Sequence, residues 1–368
     1  MADAAPAIGT CPGLSVIGYG IWSALGPDGP STVAGLRTRM IASETGALWD
    51  ATGDAGLPLF RVAAHQWWTG PDFLPELAVP VIEECLAQVG ALPPALRRRT
   101  AEVPILVAAP PRHRPTSPPD PEARLLAGIE RRLGRPLPPG SGVIAAGRVG
   151  LPHLVARASA QIDRYPLQIL VGVESFIRQG LVDTYLAQGR LFCAANSSGF
   201  IPGEAAAALL VMRSGARNGP ELAITGMGAG QEPGRDGGSR EAAVTGAGLT
   251  TAMRAAVTAS GRDFFDIPCL LGDLNGEHFK FKEAAIATMR IDRAPPEGAS
   301  RRPRGYAEHW NVIEGLGEIG AALMPVQLGW AFEAGRQGRL PQGRALAFAG
   351  EDDGARVAMT LEMRGGPV

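Results

Sequence analysis

Residues 168–212, QILVGVESFIRQGLVDTYLAQGRLFCAANSSGFIPGEAAAALLVM, decide the fold. Gln168 to Val173 is short, apolar and β-branched, the composition of a buried strand. Phe176 to Leu186 has helical spacing, with Leu181, Tyr185 and Leu186 on one side. Asn196, Ser197, Ser198 and Gly199 make a polar loop. Pro202, Gly203 and Glu204 then turn the chain into Ala205–Met212, apolar enough to be a strand buried on both faces.

Working outward, the same alternation continues. Upstream, strands are predicted at Leu14–Gly18, Val103–Ala108 and Gly142–Ala146, and helices running to about Met40 and over Glu76–Val89, Glu122–Leu133 and Gly150–Ile162. Residues 1–12 read as a loose arm, and 41–75 as an irregular stretch with a little strand and three tryptophans, Trp49, Trp67 and Trp68. The proline-rich run PPRHRPTSPPDPE (110–122) admits three readings: a polyproline recognition arm, a linker or a surface loop. The surface loop is favoured because strand and helix resume on either side. Downstream, strands are expected at Leu222–Gly226, Ile267–Leu271, Arg344–Ala349 and Ala355–Leu361. Helices are expected at Ala242–Ser260 and Lys282–Met289, and at Leu316–Arg336 with a break or bend near Pro325. Strands alternating with helices define an α/β protein. The order repeats weakly, which divides the chain into halves 1–218 and 219–368, the first carrying an irregular insertion over about 41–140.

Composition narrows the function classes. A net charge of −1 with 19% charged residues gives no basic excess for nucleic acid. Lys280 and Lys282 are the only lysines. The four cysteines, Cys11, Cys85, Cys193 and Cys269, are scattered without metal-ligand spacing, so no metal is expected, and they suit a reducing compartment. The N-terminus lacks a basic segment followed by an apolar core, and no stretch approaches the roughly 18 apolar residues of a membrane span. A cytoplasmic protein is the expectation. GMGAGQEPGRDGG (226–238) does not fit the dinucleotide fingerprint in register, and no cofactor is expected.

Gly172-Val-Glu-Ser175, Gly189-Arg-Leu191 and Gly199-Phe-Ile-Pro-Gly-Glu-Ala-Ala-Ala-Ala-Leu-Leu210 together resemble the β-ketoacyl synthases of the thiolase superfamily. The opening VIGYGIWSALGPD is similar to theirs as well. The resemblance implies a thiolase-like fold of two βαβαβαββ halves in five layers, α-β-α-β-α. It also implies acyltransferase chemistry of the 3-oxoacyl synthase type. That chemistry needs a thiolate at a helix N-terminus, two histidines (or a histidine and an asparagine) and an oxyanion hole.

The family's nucleophile falls on Ala146 or Gly147 here, with no cysteine within 45 residues and no serine following closely. Its first histidine best overlays Asn275, in GDLNGEH; His278, three residues on, has a polar-loop reading and a pocket reading. Its second histidine becomes Glu314, which suits a general base, an anion-repelling group or a helix N-terminal residue equally. His309 lies five residues upstream of Glu314. Cys193 and Cys269 read as structural thiols. The implied protein keeps the fold and loses the trio: a pseudoenzyme that binds an acyl chain or acyl carrier protein, or serves as a scaffold. The alternative is an acyltransferase without a cysteine, using Asn275 for malonyl decarboxylation, or Glu314 or His309 as base for a non-covalent condensation. The DLNGE … E … LGEIGAA combination also resembles a bacterial subgroup encoded near type VI secretion genes. Family members pair through the strand before the nucleophile helix, here Gly142–Ala146, so a homodimer is expected.

Overall fold

The computed structural model describes residues 11–62, 73–234, 243–293 and 305–365. Most of the expected N-terminal arm, Trp67, Trp68 and the end of the glycine-rich run at 226–238 lie outside them. The first half runs β1 (Leu14–Ser23), α1 (Gly29–Arg37), a β2 (Glu44–Asp50)–β3 (Ala55–Leu59) hairpin, α2 (Leu74–Ala91), β4 (Ile105–Ala109), α3 (Pro121–Leu133), β5 (Gly142–Ala145), α4 (Gly150–Ala160), β6 (Leu167–Ser175), α5 (Gln179–Ala187) and β7 (Glu204–Arg213). The second runs β8 (Glu221–Gln231), α6 (Ala247–Ala259), β9 (Cys269–Leu271), α7 (His278–Arg293), β10 (Glu308–Trp310), α8 (Ile313–Leu316), α9 (Leu323–Arg336), β11 (Arg344–Gly350) and β12 (Ala355–Arg364).

Each half builds the same five strands. The first is ordered β1-β7-β6-β4-β5 and the second β8-β12-β11-β9-β10. In both, the last three strands of that order are parallel and the first three alternate. A short pairing of Ser15 and Val16 with Ala223 and Leu222 joins the two into one ten-stranded ladder.

Period-two alternation sorts the side chains into layers. In β7, Ala205, Ala207, Leu209 and Val211 face the central core with α4 and α9, whereas Ala206, Ala208, Leu210 and Met212 face α2. In the second half, Ala345, Ala347 and Ala349 of β11 face the same centre, and Leu346 and Phe348 face α6 and α7. Helices therefore lie outside each sheet and between them, giving the five layers α-β-α-β-α.

Three differences from the sequence reading have physical causes. Within 41–140, α2 and β4 belong to the layered core: Leu77, Val81, Ile82, Cys85 and Val89 of α2 are buried against the sheet. β10 escapes prediction because Glu308-His309-Trp310 is largely polar and exposed, unlike the equally short but apolar, buried β9. The break expected near Pro325 falls upstream instead. Gly317 and Gly320 adopt left-handed backbone angles, and α9 starts only at Leu323, so Pro325 occupies a first turn where it displaces no hydrogen bond.

Candidate functional site: a buried charge cluster between the halves

The expected nucleophile position opens α4. Ala146 leads into a short 3-10 turn, Gly147–Val149, that runs into the helix. Gly147 has φ +56°, and a Cβ there would lie 2.1 Å from Glu351 Oε2 and 2.9 Å from Pro111 Cδ. No side chain fits this position without moving both neighbours.

The carboxylate that blocks Gly147 also caps the turn: the Arg148 backbone N–H donates to Glu351 Oε2 at 2.9 Å. The Arg148 side chain is fully buried and donates through Nε to Glu318 at 3.0 Å and through Nη1 to Glu351 and Asp352 at 3.1 Å each. Arg114 enters from the proline-rich run and reaches Glu174 at 2.8 Å, Asp352 at 3.0 Å and Glu351 at 3.2 Å. Arg190 forks onto Glu277 at 2.8 and 3.0 Å and touches Asp352 at 3.2 Å. Three arginines thus face five carboxylates. Tyr185 closes one side, its hydroxyl donating to Asp352 at 3.1 Å.

Burial and pairing compete in this cluster. Burial raises the Glu318 carboxyl, but Arg148, Asn275 and the Gly320 N–H outweigh it and bring it down to about 2. Burial likewise disfavours the Asp352 anion, yet Arg148, Arg190 and Arg114 hold it well below the ordinary carboxylate range. At Glu174 burial prevails over Arg114, and the carboxyl is raised.

The expected site residues divide between two places. Asn275 belongs to the cluster: its amide nitrogen donates to Glu277 and Glu318 at 3.0 Å each, and its oxygen accepts from the Glu277 N–H at 3.1 Å. Glu314 does not. It is exposed, and it shares a surface cavity with His309. The carboxylate beside Asn275 is Glu318, four residues further on. His278 is also exposed, its backbone N–H held by Ser198 Oγ at 3.0 Å. Cys269 is buried in β9, and burial raises its thiol. The proline-rich run keeps His113 at the surface but is no plain loop, since Arg114 is only 2% exposed. Sequence reading missed Arg114, Arg148, Arg190 and the five carboxylates. The available signal was a single charge inside an apolar run, as at Arg148 in AAGRVGL and Glu318 in LGEIGAA.

Among the described residues, no group of three or more His, Cys, Asp or Glu side chains is placed to hold a metal, and no helix is long and apolar enough to cross a membrane.

No protein-family model and no curated protein matches the sequence. Solved structures match it over nearly its whole length. The ishigamide ketosynthase/chain length factor has a TM-score of 0.66 at 17% identity, covering 97% of this chain and 100% of that one. The ketosynthase ApeO, in complex with its chain length factor ApeC, from Xenorhabdus doucetiae gives 0.68 at 13%, covering 96% and 98%. A type II polyketide synthase acyl-carrier protein in complex with its ketosynthase, bound to the hexaketide, gives 0.71 at 11%, covering 96% and 99%. The chain has the thiolase-like ketosynthase fold.

Proposed function

We propose that this protein is a non-condensing member of the ketosynthase fold, which binds a protein partner and does not transfer acyl groups covalently. The observation that carries this reading is Gly147. It is one of the two positions, with Ala146 before it, on which the nucleophile is expected to fall; it has a left-handed backbone, and Glu351 occupies the space a side chain would need. The same carboxylate accepts from the Arg148 N–H and so closes the opening of the helix. Asn275 is not left to stabilise an enolate, because both its amide nitrogen and its oxygen are engaged within the cluster.

The neighbours named as chain length factors or as carrier-protein complexes support a partner of the same chemistry: a second ketosynthase-fold chain or an acyl carrier protein. β5 is the natural contact, since it ends the ladder and its four residues are half-exposed. Pairing two β5 edges would extend the sheet across a twofold dimer.

The test is intact mass after incubation with acyl-carrier-protein and coenzyme A thioesters, with thiol release followed in parallel. Neither an adduct nor thiol release is expected, and Gly147→Cys should not restore them. A stable acyl adduct on the wild-type protein would overturn the reading.

A further inference from the structure

The cavity that holds His309 and Glu314 has features a plain surface hollow does not require. It encloses about 460 Å³, within the range of small-molecule sites. Its apolar wall comprises Val33, Leu36, Met40 and Ile41 with the indoles of Trp310 and Trp330, which stack with centroids 4.5 Å apart. Arg37, Arg39 and Arg339 line the same cavity, and no described residue gives their side chains a carboxylate partner. Against them the described lining residues offer one carboxylate, Glu314, so the described lining carries net positive charge.

The backbone at Arg39 is the second observation. Both helices that end at the cavity close in the same turn. After α9, Gly338 takes the left-handed position, with its N–H on Gly335 O and the Arg339 N–H on Ala334 O. After α1, the Arg39 and Met40 N–H groups make the equivalent bonds to Leu36 and Gly35, but the left-handed residue is Arg39, at φ +53°. Glycine is the unstrained choice there, as α9 demonstrates. Helix-end dipoles alone would accept an arginine anywhere in the last turn, and α1 already has Arg37. A strained arginine on an aromatic-walled cavity, beside two more arginines with no carboxylate partner among the described residues, points to an anionic ligand.

We propose that this cavity binds an amphiphile: an apolar tail against the indoles and Leu36, and an oxyanion head, carboxylate or phosphate, held by Arg39 and Arg339. Guanidinium forks match both head groups. The proposal does not depend on the buried cluster, and its failure would leave the absence of acyl transfer and the β5 contact untouched.

Isothermal titration calorimetry with octanoate, octyl phosphate and octanol tests it. At least one anion should bind about tenfold or more tightly than octanol, and the tighter of the two names the head group. Arg39→Gly should erase most of that gap while leaving the melting temperature unchanged or higher, because the strain is relieved. Arg339→Gln should narrow the gap without unfolding the protein. Equal binding of octanol and both anions, a gap that survives Arg39→Gly, or no binding by any of the three would overturn the proposal.

Discussion

The two helices of the middle layer open in nearly the same way, and each is closed by the opposite half. At α4, Gly147 has φ +56°, and Glu351, just beyond β11, lies 2.1 Å from where its Cβ would be. At α9, Gly320 has φ +52°, and Glu174 of β6 lies at 2.0 Å. Glu351 accepts from the Arg148 N–H at 2.9 Å, and Glu174 from the Ala321 N–H at 2.8 Å. β6 and β11 hold the same place in their sheets, so the exchange of carboxylates is reciprocal. The difference lies in the next side chain: Arg148 at one opening, Ala321 at the other. The two caps match in geometry, and Arg148 makes the one at α4 the hub of a charge cluster.

Removing that difference should give the largest effect. Arg148→Ala strands Glu318 and part of the Glu351–Asp352 pair in the interior, and is expected to cost about 3–5 kcal/mol in urea denaturation. A loss below 1 kcal/mol would mean that the cluster is not organised around Arg148.

Next comes acid. The Glu318 carboxyl is depressed from 4.5 to about 2 in the folded chain. Its contribution is therefore fully present above about pH 4.5 and lost as pH falls toward about 2. Urea midpoints across that window should fall in the wild type, and fall less in Arg148→Ala, where the depression is gone.

Alanine at each glycine then tests the symmetry itself. Gly147→Ala and Gly320→Ala should each cost roughly 1–3 kcal/mol, through left-handed strain and a displaced carboxylate. Strongly unequal losses would show that the two caps have diverged in energy as well as in chemistry.

An acid–base effect of opposite sign concerns Glu204, at the start of β7. Burial pushes its carboxyl up to about 7, against hydrogen bonds from Ser175 and the Val62 N–H. A raised carboxyl favours folding below its unfolded value of 4.5, and that contribution disappears as pH rises through about 7. Glu204→Gln should flatten the stability profile across that interval.

Much of the fold was legible because β6, β7, β11 and β12 carry their character in their own residues. Strand composition and period need no distant partner. The turn at Ala146–Gly147 and the loop at Asn275 were legible through motif position. The cluster was not, because a buried charge is defined by its partners, and these are far away in the chain: Glu318 is 170 residues from Arg148, and Glu351 is 237 from Arg114. Glu314 and Glu318 illustrate the limit. Four residues apart, they would share one face of a continuous helix. Gly317, at φ +66°, ends α8 between them, and Glu314 is exposed while Glu318 turns inward.

The reciprocal caps also set an order of events in making the molecule. Arg114, Arg148 and Glu174 leave the ribosome well before Glu318, Glu351 and Asp352. Until the second half exists, the first half carries the cluster's three arginines, of which only Arg114 has a first-half carboxylate, Glu174, among the described residues, and an open helix end at Gly147. Contacts of such long span form late and fold slowly. A nascent first half is therefore an incomplete body, and the last hairpin is the latch that makes both halves one cooperative unit.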